Sequence, residues 1–331
     1  MIISRTPVRL SFFGGGTDYR EYFERQQGAV LGTSIDKYTY VSVNRLSNFF
    51  EYKIRVGYSK AELVNKVEDI QHPSVRETLK FMGQSGNLDI HIFADLPART
   101  GLGSSSSFTV GFLNALYALQ GRRIPRQQLA EEAIHIEQRM IQENVGCQDQ
   151  MHAAHGGLNI IEFSRSGISV RPVVISGDKR GALNDSLLVF YTGQTRFASD
   201  IVKEQVQKTA TSKNDDYLEE MYRMVFRAED VISSAMPDEA VSELGRLLDE
   251  SWRLKKKLSS QVSNGAIDEA YEAAIRAGAY GGKLAGAGSG GFLFFLGPPA
   301  KHGAIRASLS KLLEVDVGFD TEGSKIIYLN D

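Results

Sequence analysis

A segment rich in glycine and serine, residues 96–107, holds the residue types best suited to binding a phosphate group. It reads Leu-Pro-Ala-Arg-Thr-Gly-Leu-Gly-Ser-Ser-Ser-Ser, and an apolar run with helical spacing, Phe108 to Leu119, follows it directly. Glycines let the backbone pass close to a ligand, and a helix start offers free N–H groups and the positive end of the helix dipole. The serines can cap the helix, bind phosphate oxygens or ligate Mg²⁺. By itself the segment fits an ordinary helix start or a phosphate site.

Two further glycine clusters favour the phosphate site. One lies near the N-terminus, at residues 13–19, and the other near the C-terminus, at residues 281–292. The central segment lacks the Gly-Lys-Ser/Thr ending of a Walker loop, and no Gly-x-Gly-x-x-Gly opens a βαβ unit. The three clusters therefore indicate a nucleotide-binding fold outside the commonest ones.

Taken in order, the three clusters resemble the three motifs of the GHMP kinases (galactokinase, homoserine kinase, mevalonate kinase and phosphomevalonate kinase). The matching segments are residues 7–10 running into 14–19, then 101–106, then 283–291, so the resemblance spans nearly the whole chain. The triple glycine before Thr17 and Asp18, and the run 190–193 with Arg196, resemble the D-glycero-D-manno-heptose 7-phosphate kinases within that superfamily. The sequence resembles the fucose-kinase-like domain almost as well.

The composition is that of a globular protein. The 331 residues include 42% hydrophobic and 24% charged side chains, which is ordinary for a globular protein with two domains. The 38 basic and 40 acidic side chains leave a net charge of −2. The overall charge of the chain therefore does not attract nucleic acid or an anionic membrane surface. The single cysteine, Cys147, excludes an intramolecular disulfide framework. With no membrane-spanning run and no basic leader, we expect a cytoplasmic protein.

Strands and helices alternate without a regular βαβ rhythm, which predicts an α+β fold. We expect strands at residues 8–13, 38–43, 88–93, 187–191 and 291–296, and helices at 104–119, about 126–143, 199–232, 238–258 and 264–277. The boundary is expected near residues 165–185, giving domains 1–175 and 176–331. The resemblance implies the GHMP kinase two-domain architecture: an N-terminal ATP-binding domain like domain 2 of ribosomal protein S5, and a ferredoxin-like C-terminal domain.

Phosphoryl transfer needs a cradle for the triphosphate, a divalent cation and a group that orients or deprotonates the acceptor hydroxyl. For the cation we expect Ser105 and Glu137, since Mg²⁺ prefers hard oxygen ligands. The resemblance implies that Asp149, twelve residues after Glu137, is the catalytic residue and that Arg9 lies beside the transferring group. Without the resemblance, Glu137 fits a solvated surface residue, Asp149 a helix N-cap and Arg9 a structural residue on a strand.

The remaining site residues are expected to contact the two substrates. Those expected at ATP are Arg99, Gly101, Leu102, Gly103, Ser104, Ser105 and Ser106. Those expected at the sugar are Gly15, Gly16, Thr17, Asp18, Arg196, Lys283, Gly286 and Gly288. Arg196, Lys37 and Arg99 compete for a phosphate already on the sugar. The third cluster is expected to be a turn or helix start, with close packing between the domains as the alternative.

The resemblance implies an ATP- and Mg²⁺-dependent sugar kinase that phosphorylates the anomeric hydroxyl of D-glycero-D-manno-heptose 7-phosphate. The 1,7-bisphosphate would feed nucleotide-activated heptose for a surface glycan. L-fucose or another neutral sugar is the nearest alternative substrate, and mevalonate-type chemistry is a weaker one. A non-catalytic ligand sensor is the alternative of another class. We expect no nucleic-acid or membrane partner, and the sequence leaves the oligomeric state open.

Overall fold

The computed structural model describes residues 1–98, 100–193 and 198–330. Within these residues there are twelve strands: β1 (Ile2–Phe13), β2 (Gly28–Arg45), β3 (Ile54–Gly57), β4 (Ala61–Val64), β5 (Leu88–Ala94), β6 (Leu158–Ser164), β7 (Gly167–Pro172), β8 (Leu187–Tyr191), β9 (Gly281–Leu284), β10 (Phe292–Leu296), β11 (Leu313–Glu314) and β12 (Lys325–Leu329).

The same residues form eleven α-helices: α1 (Arg20–Phe23), α2 (Pro73–Phe81), α3 (Ser104–Leu119), α4 (Arg126–His135), α5 (Gln148–His155), α6 (Gly177–Asp185), α7 (Ala198–Ala210), α8 (Asp215–Ser234), α9 (Pro237–Leu258), α10 (Gly265–Arg276) and α11 (His302–Ser308). A π-helical turn, Ile136–Met140, continues α4. None of the described helices is both long and apolar enough to cross a membrane.

The larger sheet has eight strands, with the order β12-β1-β2-β5-β3-β4; in addition, β6 pairs with β2 and β7 pairs with β6. Helix α3 packs on β1 and β2. The helix and sheet approach closely at Gly111, where a Cβ atom would lie 2.6 Å from Oγ1 of Thr6 and where Ser4 Oγ donates a 2.8 Å hydrogen bond to the Gly111 carbonyl. This contact brings the start of α3 beside the end of β1.

The smaller sheet has four antiparallel strands in the order β11-β8-β10-β9. All five residues of β10 are buried, because Phe292, Phe294 and Leu296 face the core that includes β1, and Leu293 and Phe295 face a second cluster on the other side. Strands and helices are mixed throughout, so the predicted α+β class is confirmed.

The two sheets share one hydrophobic core, which joins residues of β1 to residues of β8, β10, α8 and α9. The rings of Phe12 and Phe294, one from each sheet, lie 5.8 Å apart edge to face. The chain leaves the larger sheet after Pro172 and returns to it at β12, which pairs with the first residues of β1. A single cut at 175/176 therefore assigns the last strand to the second half, although that strand pairs in the first sheet.

Each expected strand and helix corresponds to an element of the structure, but others, such as β3, β4, β6, β7, α2 and α6, were not predicted. Helix α3 has the expected bounds, and β10 begins one residue later than expected. The stretch 199–232 is two helices, because Ser212 adopts a left-handed conformation (φ 60°) between them. The helix expected over about 126–143 is α-helical only to His135 and then widens into the π-turn.

Candidate active site

The second glycine cluster forms a tight turn that leads into α3. Gly101 (φ +81°) and Gly103 (φ +77°) both adopt the left-handed conformation that glycine tolerates best. Ser104 is half-buried and Ser105 is exposed, so the first turn of α3 opens toward solvent. Its N–H groups have no acceptor within the helix, and an anion can therefore bind there. Arg99, expected at the nucleotide, lies outside the described residues.

Arg9 and Asp149 meet beside this turn although 140 residues separate them in the chain. Arg9 donates from Nε to Oδ1 of Asp149 (2.9 Å) and from Nη1 to the carbonyl of Gly101 (2.7 Å), and its Nη2 forms an ion pair with the same Oδ1 (2.7 Å). Arg9 is 5% exposed, whereas the side chain of Asp149 is 26% exposed. A Cβ atom on Gly103 would lie 3.1 Å from Oδ2 of Asp149. The carboxylate thus lies directly over the glycine turn, with its second oxygen free of Arg9.

Asp149 is not a helix N-cap, since Cys147 precedes α5 and Asp149 lies in its first turn. Helix α5 therefore presents the Asp149 carboxylate from a rigid element. Arg9 lies on β1 in a regular register with β2. Two fixed elements hold the pair, and this geometry suits a group that must orient a reacting hydroxyl.

Glu137 lies in the π-turn and is fully buried, so it is not the solvated surface residue that composition alone allows. Its Oε2 accepts hydrogen bonds from Ser106 Oγ (2.8 Å) and Gln150 Nε2 (2.5 Å). Its buried Oε1 has no hydrogen-bond partner among the described residues. Burial raises the pKa of Glu137 to about 7, against the lowering effect of the Thr109 and Ser106 hydroxyls. A cation at Oε1 would relieve both the missing bond and the buried charge.

The hydroxyl next to Glu137 belongs to Ser106, whereas Ser105 is exposed at the same helix start. Consecutive residues of a helix point about 100° apart, so one position changes which serine faces Glu137. That Ser105 and Glu137 ligate a cation stays a prediction. The described geometry adds Ser106 to the candidate ligands.

The first glycine cluster forms a closed loop around Thr17 and Asp18, both buried. The hydroxyl of Thr17 lies within hydrogen-bond distance of the carbonyls of Gly14 (2.8 Å) and of Ala29 on β2 (2.9 Å), and it accepts from the Ala29 N–H (3.0 Å). Asp18 accepts hydrogen bonds from the N–H groups of Gly16 (3.0 Å) and Gln148 (3.3 Å). The structure thus gives Thr17 a role within the loop and places Asp18 beside α5, the helix that carries Asp149.

Of the two predicted glycines in this loop, Gly15 and Gly16 differ in their surroundings. A Cβ atom on Gly16 would lie 3.0 Å from Nε2 of Gln205 and 3.1 Å from Leu218, so Gly16 is packed beneath α7 and α8. A Cβ atom on Gly15 would meet Ser11 Oγ at 3.7 Å and Gln148 Nε2 at 3.9 Å, which are ordinary contact distances. Space for one more atom therefore exists only at Gly15.

The third glycine cluster begins as strand β9, which includes Lys283 and Leu284, and then bends over residues 286–291, where a turn was expected. Lys283 lies in β9, is 2% exposed, and donates from Nζ to the Phe12 carbonyl (3.1 Å). Gly286 (φ +72°) touches Gly101, because a Cβ atom there would lie 2.4 Å from the Gly101 Cα. Gly288 packs on Val262 in the same way. Close packing between the domains is therefore present, and sugar contacts by these three residues stay a prediction.

Lys255 is a site residue that sequence reasoning missed. It lies in the last turn of α9, is 6% exposed, and donates from Nζ to the carbonyls of Leu284 (3.0 Å) and Gly286 (2.5 Å). It therefore fixes the third glycine loop against α9. A signal was available, because Lys255 falls at helical spacing on the buried stripe of α9 with Trp252 and Leu258.

Buried charges gather where the three glycine loops meet. Burial lowers the pKa of Lys283 to about 7, and the positive charge of Arg9 adds to this effect. Burial, together with the charges of Lys283 and Arg9, lowers the pKa of Lys255 well below its usual value. Burial raises the pKa of Asp18, and the nearby carboxylate of Asp149 raises it further. Two lysines and Arg9 thus surround two carboxylates, an arrangement that an anionic ligand would stabilise.

Of the three residues that compete for a substrate phosphate, Lys37 alone is among the described residues. Lys37 forms an ion pair with its neighbour Asp36 (3.1 Å) on β2. Arg196, like Arg99, lies outside the described residues. A cavity of about 360 Å³ lies elsewhere, lined by residues such as Arg126, and contains none of the predicted site residues. The candidate site therefore lies where Arg9, Asp149 and Glu137 meet the start of α3, and not in that cavity.

His152, on α5 with Asp149, makes the stability of the fold sensitive to acid. It is fully buried, and neither ring nitrogen has a hydrogen-bond partner among the described residues. Burial, and then the charge of Arg9, lowers its pKa from 6.5 to about 3. The unfolded chain therefore binds a proton below pH 6.5 that the folded chain refuses, so stability falls as the pH decreases from 6.5 toward 3.

Replacing this histidine by leucine (His152→Leu) should reduce that acid sensitivity. Between pH 7 and pH 5 the wild-type chain should lose about 2 kcal/mol more unfolding free energy than the variant. Urea unfolding of both proteins at the two pH values measures the difference. Equal losses in both proteins would contradict the assignment of the acid sensitivity to His152.

Comparison with known protein families agrees with the motifs and the geometry. The family description "GHMP kinases N terminal domain" matches residues 65–157, and "GHMP kinases C terminal" matches residues 232–315. Together the two matches cover more than half of the chain and include the glycine turn, Glu137, Asp149 and the third loop. The chain belongs to the GHMP kinases. It is therefore an ATP-dependent phosphotransferase that acts on a hydroxyl group.

Individual GHMP kinases resemble the chain over its full length. D-glycero-alpha-D-manno-heptose 7-phosphate kinase of Campylobacter jejuni is 28% identical over 98% of both chains. The bifunctional fucokinase/GDP-fucose pyrophosphorylase of Arabidopsis thaliana is 26% identical over 94% of this chain but only 31% of its own length. The crystal structure of a D-glycero-D-manno-heptose 1-phosphate kinase from Bacteroides thetaiotaomicron superposes with a TM-score of 0.79 over 100% of both chains, at 22% identity. This last match shows a shared fold.

Proposed function

We propose that this GHMP kinase transfers the γ-phosphoryl group of ATP to the anomeric hydroxyl of D-glycero-D-manno-heptose 7-phosphate, giving the 1,7-bisphosphate. The observation that carries the reaction type is the Arg9–Asp149 pair held over the glycine turn of α3. The observation that favours the substrate is the full-length similarity to the Campylobacter jejuni heptose 7-phosphate kinase. A cytoplasmic location and a role in supplying nucleotide-activated heptose belong to the same proposal.

The proposed roles follow from the contacts. Asp149 Oδ2 accepts the proton of the sugar hydroxyl, or holds that hydroxyl in line for attack. The oxygen of the sugar hydroxyl forms a bond to the γ-phosphorus. The bond from the γ-phosphorus to the bridging oxygen breaks, and ADP leaves with that oxygen. Arg9 holds Asp149 through Oδ1 and brings positive charge to the place where negative charge develops. The N–H groups at the start of α3 bind the phosphates.

We propose Glu137, with the hydroxyls of Ser105 and Ser106, as the residues that would hold Mg²⁺. Support comes from Glu137 Oε1, a buried oxygen without a hydrogen-bond partner among the described residues. Carboxylate and hydroxyl oxygens suit this hard cation. Bound there, Mg²⁺ would neutralise charge on the β- and γ-phosphate oxygens. Glu137 itself keeps the start of α3 in place through Ser106.

For the sugar, we propose that Asp18, beside α5, accepts a hydrogen bond from a substrate hydroxyl. The buried amines of Lys283 and Lys255, together with Arg9, favour an anionic ligand at this junction. Arg196 and Arg99 stay candidates for the 7-phosphate. The sensor alternative is disfavoured because a ligand sensor needs neither the Arg9–Asp149 pair nor the buried Glu137.

A coupled ADP-release assay with MgATP tests the proposal. The panel is D-glycero-D-manno-heptose 7-phosphate, mannose 6-phosphate, L-fucose, galactose and mevalonate. We expect strong turnover of the heptose 7-phosphate, with a product whose new ³¹P signal couples to the anomeric proton. Turnover of L-fucose or galactose instead would contradict the phosphosugar substrate and leave the catalytic roles standing. Silence across the panel with measurable ATP binding would favour the sensor.

A further inference from the structure

The cavity of about 360 Å³ that contains none of the predicted site residues has no role in the proposed reaction. It lies where the first turns of α4 and α6, the end of α5 and strands β6 and β7 meet residues 319–321. Its volume falls within the range of about 300–1,000 Å³ in which proteins bind small organic ligands. The side chains around it indicate which class of ligand it can take.

Two arginines give this cavity a positive charge. Arg126 donates from Nη1 to the carbonyl of His155 (2.8 Å), and its other N–H groups have no hydrogen-bond partner among the described residues. Arg180 is exposed and forms no hydrogen bond or ion pair with the described residues. Among the described residues that line the cavity, Asp320 is the single carboxylate. The lining therefore has a net positive charge and free donors for an anion.

A buried ring nitrogen and an apolar wall complete the lining. Nε2 of His155 is buried and has no hydrogen-bond partner among the described residues. Burial, and then the charge of Arg126, lowers the pKa of His155, so the ring is neutral at pH 7 and can donate one hydrogen bond. Leu158, Ile175 and Phe319 supply apolar surface. Apolar walls with a few polar groups are typical of small-molecule sites.

The cavity contacts the far ends of the helices that lead to the catalytic residues. His155 ends α5 six residues after Asp149, about 9 Å along the helix axis. Arg126 begins α4, whose other end continues into the π-turn that carries Glu137. The Arg126–His155 hydrogen bond joins these two far ends. A ligand in the cavity therefore lies outside the candidate site for ATP and the sugar, and both can be occupied together.

We propose that this cavity is a second ligand site, for a small organic anion with one phosphate or carboxylate group and a compact apolar body. The guanidinium groups of Arg126 and Arg180 bind the anionic group, and the N–H of the His155 ring donates to it. The apolar wall covers the body of the ligand. The inference is independent of the proposed sugar, because the cavity contains none of the residues assigned to the reaction.

Calorimetric titration of the full chain with phenyl phosphate and with phenylacetate tests the site. Both probes join an anionic group to an apolar ring, and a saturating non-hydrolysable ATP analogue with Mg²⁺ occupies the start of α3. We expect one probe to bind with a Kd of about 1 mM or lower, at least about tenfold tighter than inorganic phosphate or benzyl alcohol. The tighter probe identifies the anionic group. A Kd above about 10 mM for both probes would overturn the inference.

Arg180→Gln locates the bound probe, because it removes a guanidinium without a partner among the described residues. Its melting temperature should equal that of the wild-type chain, and the Kd of the tighter probe should rise about fivefold or more. Arg126→Gln should raise the Kd too, and it should lower the melting temperature through the lost bond to His155. Arg165→Gln, at an exposed arginine between β6 and β7, is the matched control and should leave the Kd unchanged.

Two results would place the probe outside the cavity and overturn the inference. One is an equal Kd in the wild-type chain, Arg180→Gln and Arg126→Gln. The other is a Kd that rises more than about threefold when the ATP analogue is added, since the probe would then compete at the nucleotide site. Neither result depends on which sugar the chain phosphorylates, so a failure here and a failure of the proposed function are distinguishable.

Discussion

Exchange of Asp149 for asparagine (Asp149→Asn) is expected to lower kcat about a thousandfold and to leave nucleotide affinity within about threefold of wild type. Asparagine keeps an oxygen that can accept the hydrogen bonds of Arg9, so the local geometry should survive. It cannot take up the proton of the acceptor hydroxyl. Asp149 lies beside Gly103 at the start of α3, the proposed phosphate site, and the exchange changes none of the N–H groups there. Single-turnover kinetics and titration with a non-hydrolysable ATP analogue separate the two effects.

Asp89→Asn is the matched control for this variant. Asp89, on β5, is also a carboxylate paired with an arginine. Arg55, on β3, donates to it from Nε (2.7 Å) and from Nη2 (2.5 Å). This control should lose stability through the broken pair and keep kcat within about twofold. Full activity in Asp149→Asn would contradict the assignment of Asp149 as the catalytic residue.

The second large effect is expected from Glu137→Gln, through the cation. The carboxamide is uncharged and a weak ligand for Mg²⁺, so half-maximal activity should need about tenfold more Mg²⁺, and kcat at saturation should fall about a hundredfold. The carboxamide oxygen can still accept from Ser106 and Gln150, which should preserve the fold around α3. Initial rates measured over a Mg²⁺ series at constant ATP give both numbers.

Glu132→Gln provides the comparison on the same helix. Glu132 accepts from the hydroxyl of Tyr117 at 2.7 Å and lies outside the phosphate-binding turn. Its exchange should leave the Mg²⁺ requirement unchanged. If Glu137→Gln showed the same Mg²⁺ curve as the wild-type chain, the cation would have to bind through other residues.

Local sequence signals were enough for much of the fold. The start and length of α3 follow from glycine and serine residues before a run of mostly apolar residues at helical spacing, and both signals act over a few residues. Strand β10 and helix α9 are likewise visible as an apolar run and an amphipathic pattern. The break between α7 and α8 was missed although residues 211–216, Thr-Ser-Lys-Asn-Asp-Asp, form a polar cluster typical of turns.

The candidate site divides in the same way. The three glycine motifs, read in order, were sufficient to identify the kinase family and to select Arg9, Glu137 and Asp149. The sequence did not predict the burial of Glu137, because the π-turn that rotates it inward has no local signature. It also missed Lys255, whose amine is turned into the core by the packing of α9 on β9.

By itself, then, the sequence determined the family, the α+β class and the residue types available for phosphoryl transfer, because these depend on short motifs and local periodicity. Only the tertiary structure decided which of these residues meet. The pairing of Arg9 with Asp149 and the choice of Ser106 as the neighbour of Glu137 depend on how β1, α3 and α5 pack. Such packing sums many contacts between residues distant in the chain, and no short segment encodes it.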